Sequence, residues 1–118
     1  MPNFKTSHAF IIGINDYQEL TPLQTAVNDA QKLAGILQEE HGFKVDLHLN
    51  ANAQTIRDLL QNLPKIVTSN DRVLFYFAGH GVAMDSEKGQ PQGYLLPVDA
   101  QKSKTDRYIS MNELHQVF

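Results

Sequence analysis

Residues 71–81 read DRVLFYFAGHG and decide how the rest of the chain is interpreted. The unbroken apolar run from Val73 to Ala78 is typical of a strand buried on both faces of a parallel sheet. The run stops at Gly79, and His80 follows between two glycines, where it has no neighbouring side chain to pack against. The pattern predicts a strand that presents a histidine at its carboxyl end, beside glycines that let a ligand approach the backbone. A strand-end turn that merely contains a histidine is the competing interpretation, and this stretch alone does not separate the two.

Upstream of this stretch, strands and helices alternate. The apolar run at residues 9–14 predicts a first buried strand, closed by a polar Asn-Asp pair. Apolar residues at helical spacing over residues 21–41 predict a helix with a Thr-Pro start. A period of two over residues 43–49 predicts a half-exposed strand near a sheet edge. Residues 56–64 predict a second amphipathic helix, disturbed at the proline that ends this range.

Downstream, the pattern is less regular. The polar and glycine-rich stretch from Met84 to Gly93 predicts a loop, and residues 94–98 predict a short strand outside the main sheet, at an edge because of Pro97. Residues 110–113, Ser-Met-Asn-Glu, form a capping box that opens a last helix.

This order of elements predicts a doubly wound α/β fold with a mainly parallel sheet and helices on both faces. Ligands of such sheets bind at the carboxyl ends of the strands. His80 follows the third strand and the Asn15-Asp16 pair follows the first, so both are expected at that edge.

The composition limits the class of protein. A chain of 118 residues with 42% hydrophobic and 19% charged residues is in the range of one globular domain. The formal charge of -3, without a basic cluster, argues against nucleic acid as a partner. The chain has no cysteine, which excludes disulfides and thiolate metal sites. The apolar run at residues 9–14 is too short for a signal h-region or a membrane span, so a cytoplasmic protein with no membrane partner is expected.

Three segments carry a resemblance to a known family. Residues 71–81 resemble the histidine motif of the caspase-like cysteine peptidases. Residues 12–17, IGINDY, with residues 26–30, AVNDA, are similar to the opening strand and first helix of metacaspases and their bacterial relatives. Residues 93–99, GYLLPVD, are similar to the segment that follows the histidine in that family. The resemblance covers essentially the whole chain and implies that residues 1–118 are the N-terminal, p20-type portion of one caspase-like domain of the peptidase C14 type.

The resemblance implies a cysteine-histidine dyad that hydrolyses peptide bonds, with a role for four residues of this chain. His80 takes the imidazole role, and Gly81 supplies a backbone N–H for the oxyanion. Asp29 occupies the position where basic-specific members hold an aspartate that pairs with Arg or Lys at substrate P1; an ordinary polar residue on a solvent-facing helix is the alternative. Asp16 supports the same cleft, although an Asn-Asp pair is also a common turn. The implied partner is a peptide or protein substrate with a basic P1 residue.

Cofactors are not expected. Asp85, Glu87 and Asp99 are acidic residues near the loop where some metacaspases bind calcium, so the resemblance is compatible with calcium activation. The spacing of these acids is not that of an EF-hand, and a solvated loop is the favoured interpretation. No metal site is predicted.

The chain departs from the family at one decisive point, because a chain without a thiol cannot supply the nucleophile. In the family, the cysteine follows a strand that comes after the helix beginning near Ser110. We therefore expect a fold truncated before the cysteine-bearing strand, which leaves the strand at residues 73–78 as an open, hydrophobic edge. This edge would pair with the remainder of the domain or with another chain. The alternative function is a non-catalytic caspase-like interaction module; a nucleotide or phospho-receiver domain fits the first-strand loop poorly.

Overall fold

The computed structural model describes residues 5–85 and 89–118, and its main feature is a parallel sheet of three strands in the order β2-β1-β3. The strands are β1 (Ser7–Gly13), β2 (Lys44–Leu49) and β3 (Arg72–Ala78). In the register of this sheet, Ile11 of β1 lies between Leu47 of β2 and Tyr76 of β3. The central position of β1 explains its continuous apolar sequence, because neighbours cover it on both sides and on both faces.

Two helices cover opposite faces of this sheet, as the sequence predicts. They are α1 (Ala26–His41) and α2 (Ala53–Ile66). Successive β1 side chains point to opposite faces, so Ala9 and Ile11 pack in one cluster with α1, while Phe10 and Ile12 pack in a larger cluster with α2. The α/β prediction with helices on both faces is confirmed.

The end of β1 approaches α1 so closely that only glycine fits there. A Cβ on Gly13 would lie 2.6 Å from the Cβ of Ala30 and 2.8 Å from the carbonyl oxygen of Ala26. The carboxyl end of the central strand is therefore held directly against the first turns of α1.

Helix α1 begins at Ala26, and the prediction that it starts at Thr21 was wrong. The residues before Ala26 form a loop over the carboxyl ends of the strands, because the Leu23 N–H donates to the Asn15 carbonyl oxygen at 2.9 Å. The side-chain oxygen of Asn15 accepts from the Val27 N–H at 3.1 Å, whereas Thr25 at the N-cap makes no side-chain capping bond. Asn15, twelve positions before Val27, thus caps the helix, a contact that local capping rules do not anticipate.

Helix α2 continues past Pro64 to Ile66, so the predicted disturbance is confined to its last turn. The proline lacks an N–H for the Leu60 carbonyl, yet the Val67 N–H still bonds the Leu63 carbonyl oxygen at 3.0 Å. The Asn52 side chain caps the other end by accepting from the Thr55 N–H at 2.8 Å.

A second, antiparallel sheet follows the histidine, in the order β4-β5-β6. Its strands are β4 (Gly81–Asp85), β5 (Pro91–Leu95) and β6 (Ile109–Ser110). The predicted loop from Met84 to Gly93 was therefore wrong at both of its ends, and Glu87 lies outside the described residues. The strand predicted over residues 94–98 does lie outside the main sheet, but its bounds and its edge position were wrong: β5 is the middle strand of the second sheet and ends before Pro97, which leaves the proline free of the ladder.

Helix α3 (Met111–Val117) has the predicted capping box. The Ser110 hydroxyl accepts from the Glu113 N–H at 3.1 Å, and the Ser110 N–H donates back to the Glu113 carboxylate at 3.5 Å. Within residues 5–85 and 89–118, none of the helices combines the length and apolarity that crossing a bilayer requires.

Strand β3 is half-buried along most of its length, because it forms one edge of the described parallel sheet. The Arg72 N–H donates to the Thr6 carbonyl at 2.8 Å, and the Ala78 carbonyl accepts from the Ile14 N–H at 2.9 Å. Backbone groups alternate sides along a strand, so even-numbered residues of β3 bond toward β1 and odd-numbered residues face away. The open edge predicted for this strand is present among the described residues.

Candidate functional site

The loops after β1 and β2 are tied together at the carboxyl edge of the parallel sheet by Asn50. This residue has a φ of 53°, a left-handed conformation that asparagine tolerates better than most residues. Its side-chain oxygen accepts from the Asn15 N–H at 2.9 Å and from the Asp16 N–H at 3.1 Å. Its amide nitrogen donates to the Asp16 carboxylate at 3.1 Å. Asp16 is thus exposed at the predicted edge of the sheet, with its carboxylate turned to the β2 loop.

The histidine after β3 is oriented by a backbone carbonyl of the β1 loop. His80 is half-buried, and its Nε2 atom lies 2.7 Å from the carbonyl oxygen of Thr21. A carbonyl oxygen can only accept, so Nε2 carries a proton and the neutral imidazole has its basic lone pair on Nδ1. Because α1 begins at Ala26 rather than at Thr21, Thr21 lies in a loop, and its carbonyl is available to the imidazole.

The N–H of Gly81 points away from the small antiparallel sheet. The Leu96 N–H donates to the His80 carbonyl at 3.0 Å, which makes His80 and Leu96 a hydrogen-bonded position of the ladder. The next pair, Gly81 and Leu95, is therefore a non-hydrogen-bonded position, in which the Gly81 N–H points away from β5. Because β4 is an edge strand of this sheet, no other strand among the described residues lies on that side of Gly81.

A tyrosine that sequence reasoning assigned no role completes the support of His80. Tyr17 is buried, and its hydroxyl accepts from the His80 N–H at 2.7 Å and donates to the Leu96 carbonyl at 2.7 Å. Burial raises the pKa of this phenol to about 12, against the lowering effect of the His80 N–H, so the hydroxyl stays protonated. The only signal in the sequence was the aromatic residue directly after the polar Asn-Asp pair.

A cavity of about 290 Å³ lies beside the histidine. His80 and Gly81 line it together with the apolar side chains of Leu20 and Val82. The charged side chain at its wall is Lys102. An ammonium group here disfavours a second cation, so this cavity does not suit a basic side chain.

The structure separates the other predicted acidic residues from this cavity. Asp29 is exposed in the first turn of α1, where its charge also favours the helix N-terminus. Asp99 has a structural contact, because its carboxylate accepts from the Ala53 N–H at 2.9 Å at the start of α2. Asp85 ends β4, and within the described residues no three His, Cys, Asp or Glu side chains are grouped as a metal site would require.

At the amino ends of the strands, opposite the His80 site, lies a buried histidine–aspartate pair that the sequence did not indicate. His8 is only 7% exposed, and its Nε2 lies 3.2 Å from the Asp71 carboxylate. It is buried because β1 is the central strand, so its first residues are covered by neighbouring segments. The Thr68 N–H, and next the His8 side chain, hold the pKa of Asp71 below its ordinary value, although desolvation opposes them.

Together, fold and site define a parallel α/β domain with a histidine-centred cleft at the carboxyl ends of its strands. Comparison with known families gives the more particular assignment: the chain belongs to the Caspase domain family, peptidase C14, which it matches over residues 6–118.

Curated relatives agree with this family. The chain is 26% identical over 124 residues to Metacaspase-1 of Meyerozyma guilliermondii, which covers 92% of this chain and 30% of that protein. It is 26% identical over 127 residues to Metacaspase-1A of Aspergillus oryzae, with 95% and 30% covered. For Metacaspase-1 of Eremothecium gossypii the identity is 25%, with 92% and 27% covered. The chain thus spans less than a third of the length of these relatives.

Proposed function

We propose that this chain is the histidine-bearing part of a metacaspase-like cysteine endopeptidase that cleaves after Arg or Lys. The observation that carries the proposal is the hydrogen bond from His80 Nε2 to the Thr21 carbonyl, 2.7 Å long. It fixes the imidazole with Nδ1 as the basic nitrogen, at the strand edge where the family match leads us to expect substrate.

In the proposed reaction, a cysteine thiolate attacks the scissile carbonyl carbon, and the negative charge moves to the carbonyl oxygen. The outward N–H of Gly81 supports that oxyanion. The C–N bond then breaks as the proton on Nδ1 of the imidazolium passes to the leaving nitrogen. Water hydrolyses the resulting thioester, with His80 taking the proton from it, and this step restores the thiolate and the imidazolium.

The nucleophile has to come from a polypeptide segment outside these 118 residues, because the chain contains no cysteine. The chain on its own is therefore proposed to be inactive. The outward-facing backbone of Val73, Phe75 and Phe77 in β3 offers a docking edge for a strand that carries the cysteine. That strand belongs either to the rest of the same domain or to a second chain.

Asp29 is proposed to pair with the basic P1 side chain, with Asp16 as a second acidic group at the cleft. Two features support this. Both carboxylates are exposed near the first-strand loop, and the ammonium group of Lys102 disfavours a second cation in the cavity beside His80. We therefore propose that a basic P1 residue binds on the α1 side of the cleft.

A peptidase assay tests the proposal on the chain joined to a cysteine-bearing segment. That segment is taken from the coding sequence after Phe118 or, if none follows, from the Meyerozyma guilliermondii metacaspase. We expect cleavage of peptides with Arg or Lys at P1 and none with Asp at P1. Asp29→Asn should lower kcat/KM for the basic peptides by about ten- to a hundredfold, the value of a charge-assisted hydrogen bond. Asp58→Asn, on the exposed face of α2, is the matched control, and equal cleavage after Arg and Asp would contradict the proposed specificity.

The absence of a cysteine also favours a second candidate, a non-catalytic caspase-like module that binds a homologous domain through the β3 edge. This candidate predicts that His80→Ala leaves partner binding and cellular effect unchanged. A cytoplasmic setting is part of both proposals and is checked by cell fractionation. Calcium dependence is checked by assaying the joined domain with and without a chelator.

A further inference from the structure

The Tyr17 hydroxyl occupies the place of a ladder hydrogen bond beside the histidine. In an antiparallel hydrogen-bonded pair, each residue donates its N–H to the other's carbonyl. Here the Leu96 N–H reaches the His80 carbonyl directly at 3.0 Å. The reciprocal bond is replaced by the tyrosine, which accepts from the His80 N–H and donates to the Leu96 carbonyl, each at 2.7 Å. The Tyr17 hydroxyl therefore keeps the His80 N–H from bonding to Leu96 directly, and it gives both the His80 N–H and the Leu96 carbonyl a hydrogen-bond partner.

The neighbouring backbone is shaped to admit this hydroxyl. A Cβ on Gly79 would lie 2.6 Å from the Tyr17 oxygen and 2.9 Å from the Phe77 ring. The glycine before the histidine thus provides the space in which the hydroxyl lies. Tyr17 is only 5% exposed, so water does not readily take over its two hydrogen bonds.

The ring of Tyr17 also limits the orientation of the imidazole. The ring centroids of Tyr17 and His80 are 4.6 Å apart with an interplanar angle of 53°, an arrangement favoured by aromatic rings. The Thr21 carbonyl holds Nε2 at the other side. The backbone, the ring plane and one ring nitrogen of His80 are therefore each restrained, and Tyr17 supplies the first two restraints.

We propose that Tyr17 is the positioning residue of His80: its hydroxyl bridge to Leu96 holds the His80 backbone so that the imidazole meets the Thr21 carbonyl, which in turn sets the tautomer. The functional consequence rests on the proposed peptidase function, because a fixed Nδ1 matters only if that atom transfers protons. The positioning itself is a property of this chain and is measurable without activity.

The test is nuclear magnetic resonance of the chain at a pH where the imidazoles are neutral, with His80→Ala used to assign the His80 signals. In the unmodified chain, long-range nitrogen-proton correlations should show the Nε2–H tautomer for His80. Tyr17→Phe keeps the ring but removes the bridge, so the His80 backbone should shift, the imidazole should leave the Thr21 carbonyl, and both tautomers should be populated. The His80 amide should exchange about tenfold faster, the effect of losing one hydrogen bond.

Tyr108→Phe is the matched control, because the Tyr108 hydroxyl also donates to a backbone carbonyl, that of Gln101, at 2.7 Å. It should leave both His80 signals unchanged. A single Nε2–H tautomer and an unchanged exchange rate in Tyr17→Phe would overturn the proposal, as would equal effects of the two variants. If Tyr17→Phe does not fold, nuclear Overhauser effects between the Tyr17 and His80 rings in the unmodified chain decide, and their absence overturns the proposal.

Kinetics separate this inference from the proposed function. In the joined domain, Tyr17→Phe should lower kcat about tenfold with little change in KM, because it misplaces a proton-transfer group without touching substrate. A changed KM with an unchanged kcat would contradict a positioning role. If the joined domain shows no activity at all, the proposed peptidase fails while the tautomer measurement still decides the role of Tyr17.

Discussion

At the scale of single residues, His80 depends on contacts that come from far along the chain. Its three supporting atoms belong to Tyr17, Thr21 and Leu96, and none of them is adjacent to it in sequence. The glycine pair around His80 was recognisable from the sequence because the apolar run stops there. The roles of Tyr17 and Thr21 were not, because they arise only when the β1 loop folds over the end of β3.

Gly79 provides the first residue-scale prediction. Gly79→Ala should lower the free energy of unfolding by about 1–3 kcal/mol, because its Cβ would overlap the Tyr17 hydroxyl and the Phe77 ring. Chemical denaturation measures this change. Gly81→Ala is the matched control, since its Cβ would lie 3.4 Å from its nearest neighbour, the backbone oxygen of Tyr94, and should change stability by less than about 1 kcal/mol. A smaller loss for Gly79→Ala than for Gly81→Ala would contradict the packing described here.

The lowered pKa of the Asp71 carboxyl group predicts that the free energy of unfolding falls in acid. Its folded-state pKa is lowered from an ordinary value of 3.8, so its stabilising contribution is complete above that value and is lost as the pH falls through the lower, folded-state pKa. Asp71→Asn should therefore lose less stability than the unmodified chain between about pH 5 and about pH 2. Urea denaturation at several pH values across this range measures how the free energy of unfolding changes with pH. The stability of Asp58→Asn should depend on pH as that of the unmodified chain does. If the stability of Asp71→Asn also fell in parallel with that of the unmodified chain, the stabilising role assigned to the Asp71 carboxylate would be contradicted.

At the scale of elements, regular patterns were predicted well and the irregular hairpin was not. Strand β1 and helix α2 follow the sequence pattern because burial on two faces or on one face dictates their apolar spacing. The sequence of the β4–β5 hairpin has no such regular spacing of apolar residues. It forms because Leu96 is anchored to His80 and because Tyr94 and Leu95 pack against the main core, both of which are tertiary effects.

Strand β3 predicts an alternating pattern of hydrogen exchange. The N–H groups of Leu74, Tyr76 and Ala78 face β1 and should be protected, whereas those of Val73, Phe75 and Phe77 face the open edge and should exchange faster. Exchange measured by nuclear magnetic resonance on the chain alone tests this. Adding the cysteine-bearing segment should protect the odd-numbered amides as well. Uniform protection in the chain alone would show that the edge is already covered.

At the scale of the whole molecule, the site is assembled where the loops after β1, β2 and β3 converge. The fold class and the location of this edge follow from the order of strands and helices, which the sequence shows directly. The network that ties the loops together does not follow, because Asn50 and Asn15 act across long sequence separations. Membership of the Caspase domain family agrees with this architecture.

The most direct measurement is the peptidase rate of the joined domain with and without the imidazole of His80. We predict cleavage after Arg or Lys that falls by at least about a hundredfold in kcat/KM when His80 is changed to Ala, the contribution typical of a proton-transfer group. The control is His115→Ala, which removes an exposed imidazole of α3 and should leave the rate unchanged. Cleavage that persists at the unmodified rate in His80→Ala would contradict the central claim that this chain supplies the histidine of a cysteine-histidine dyad.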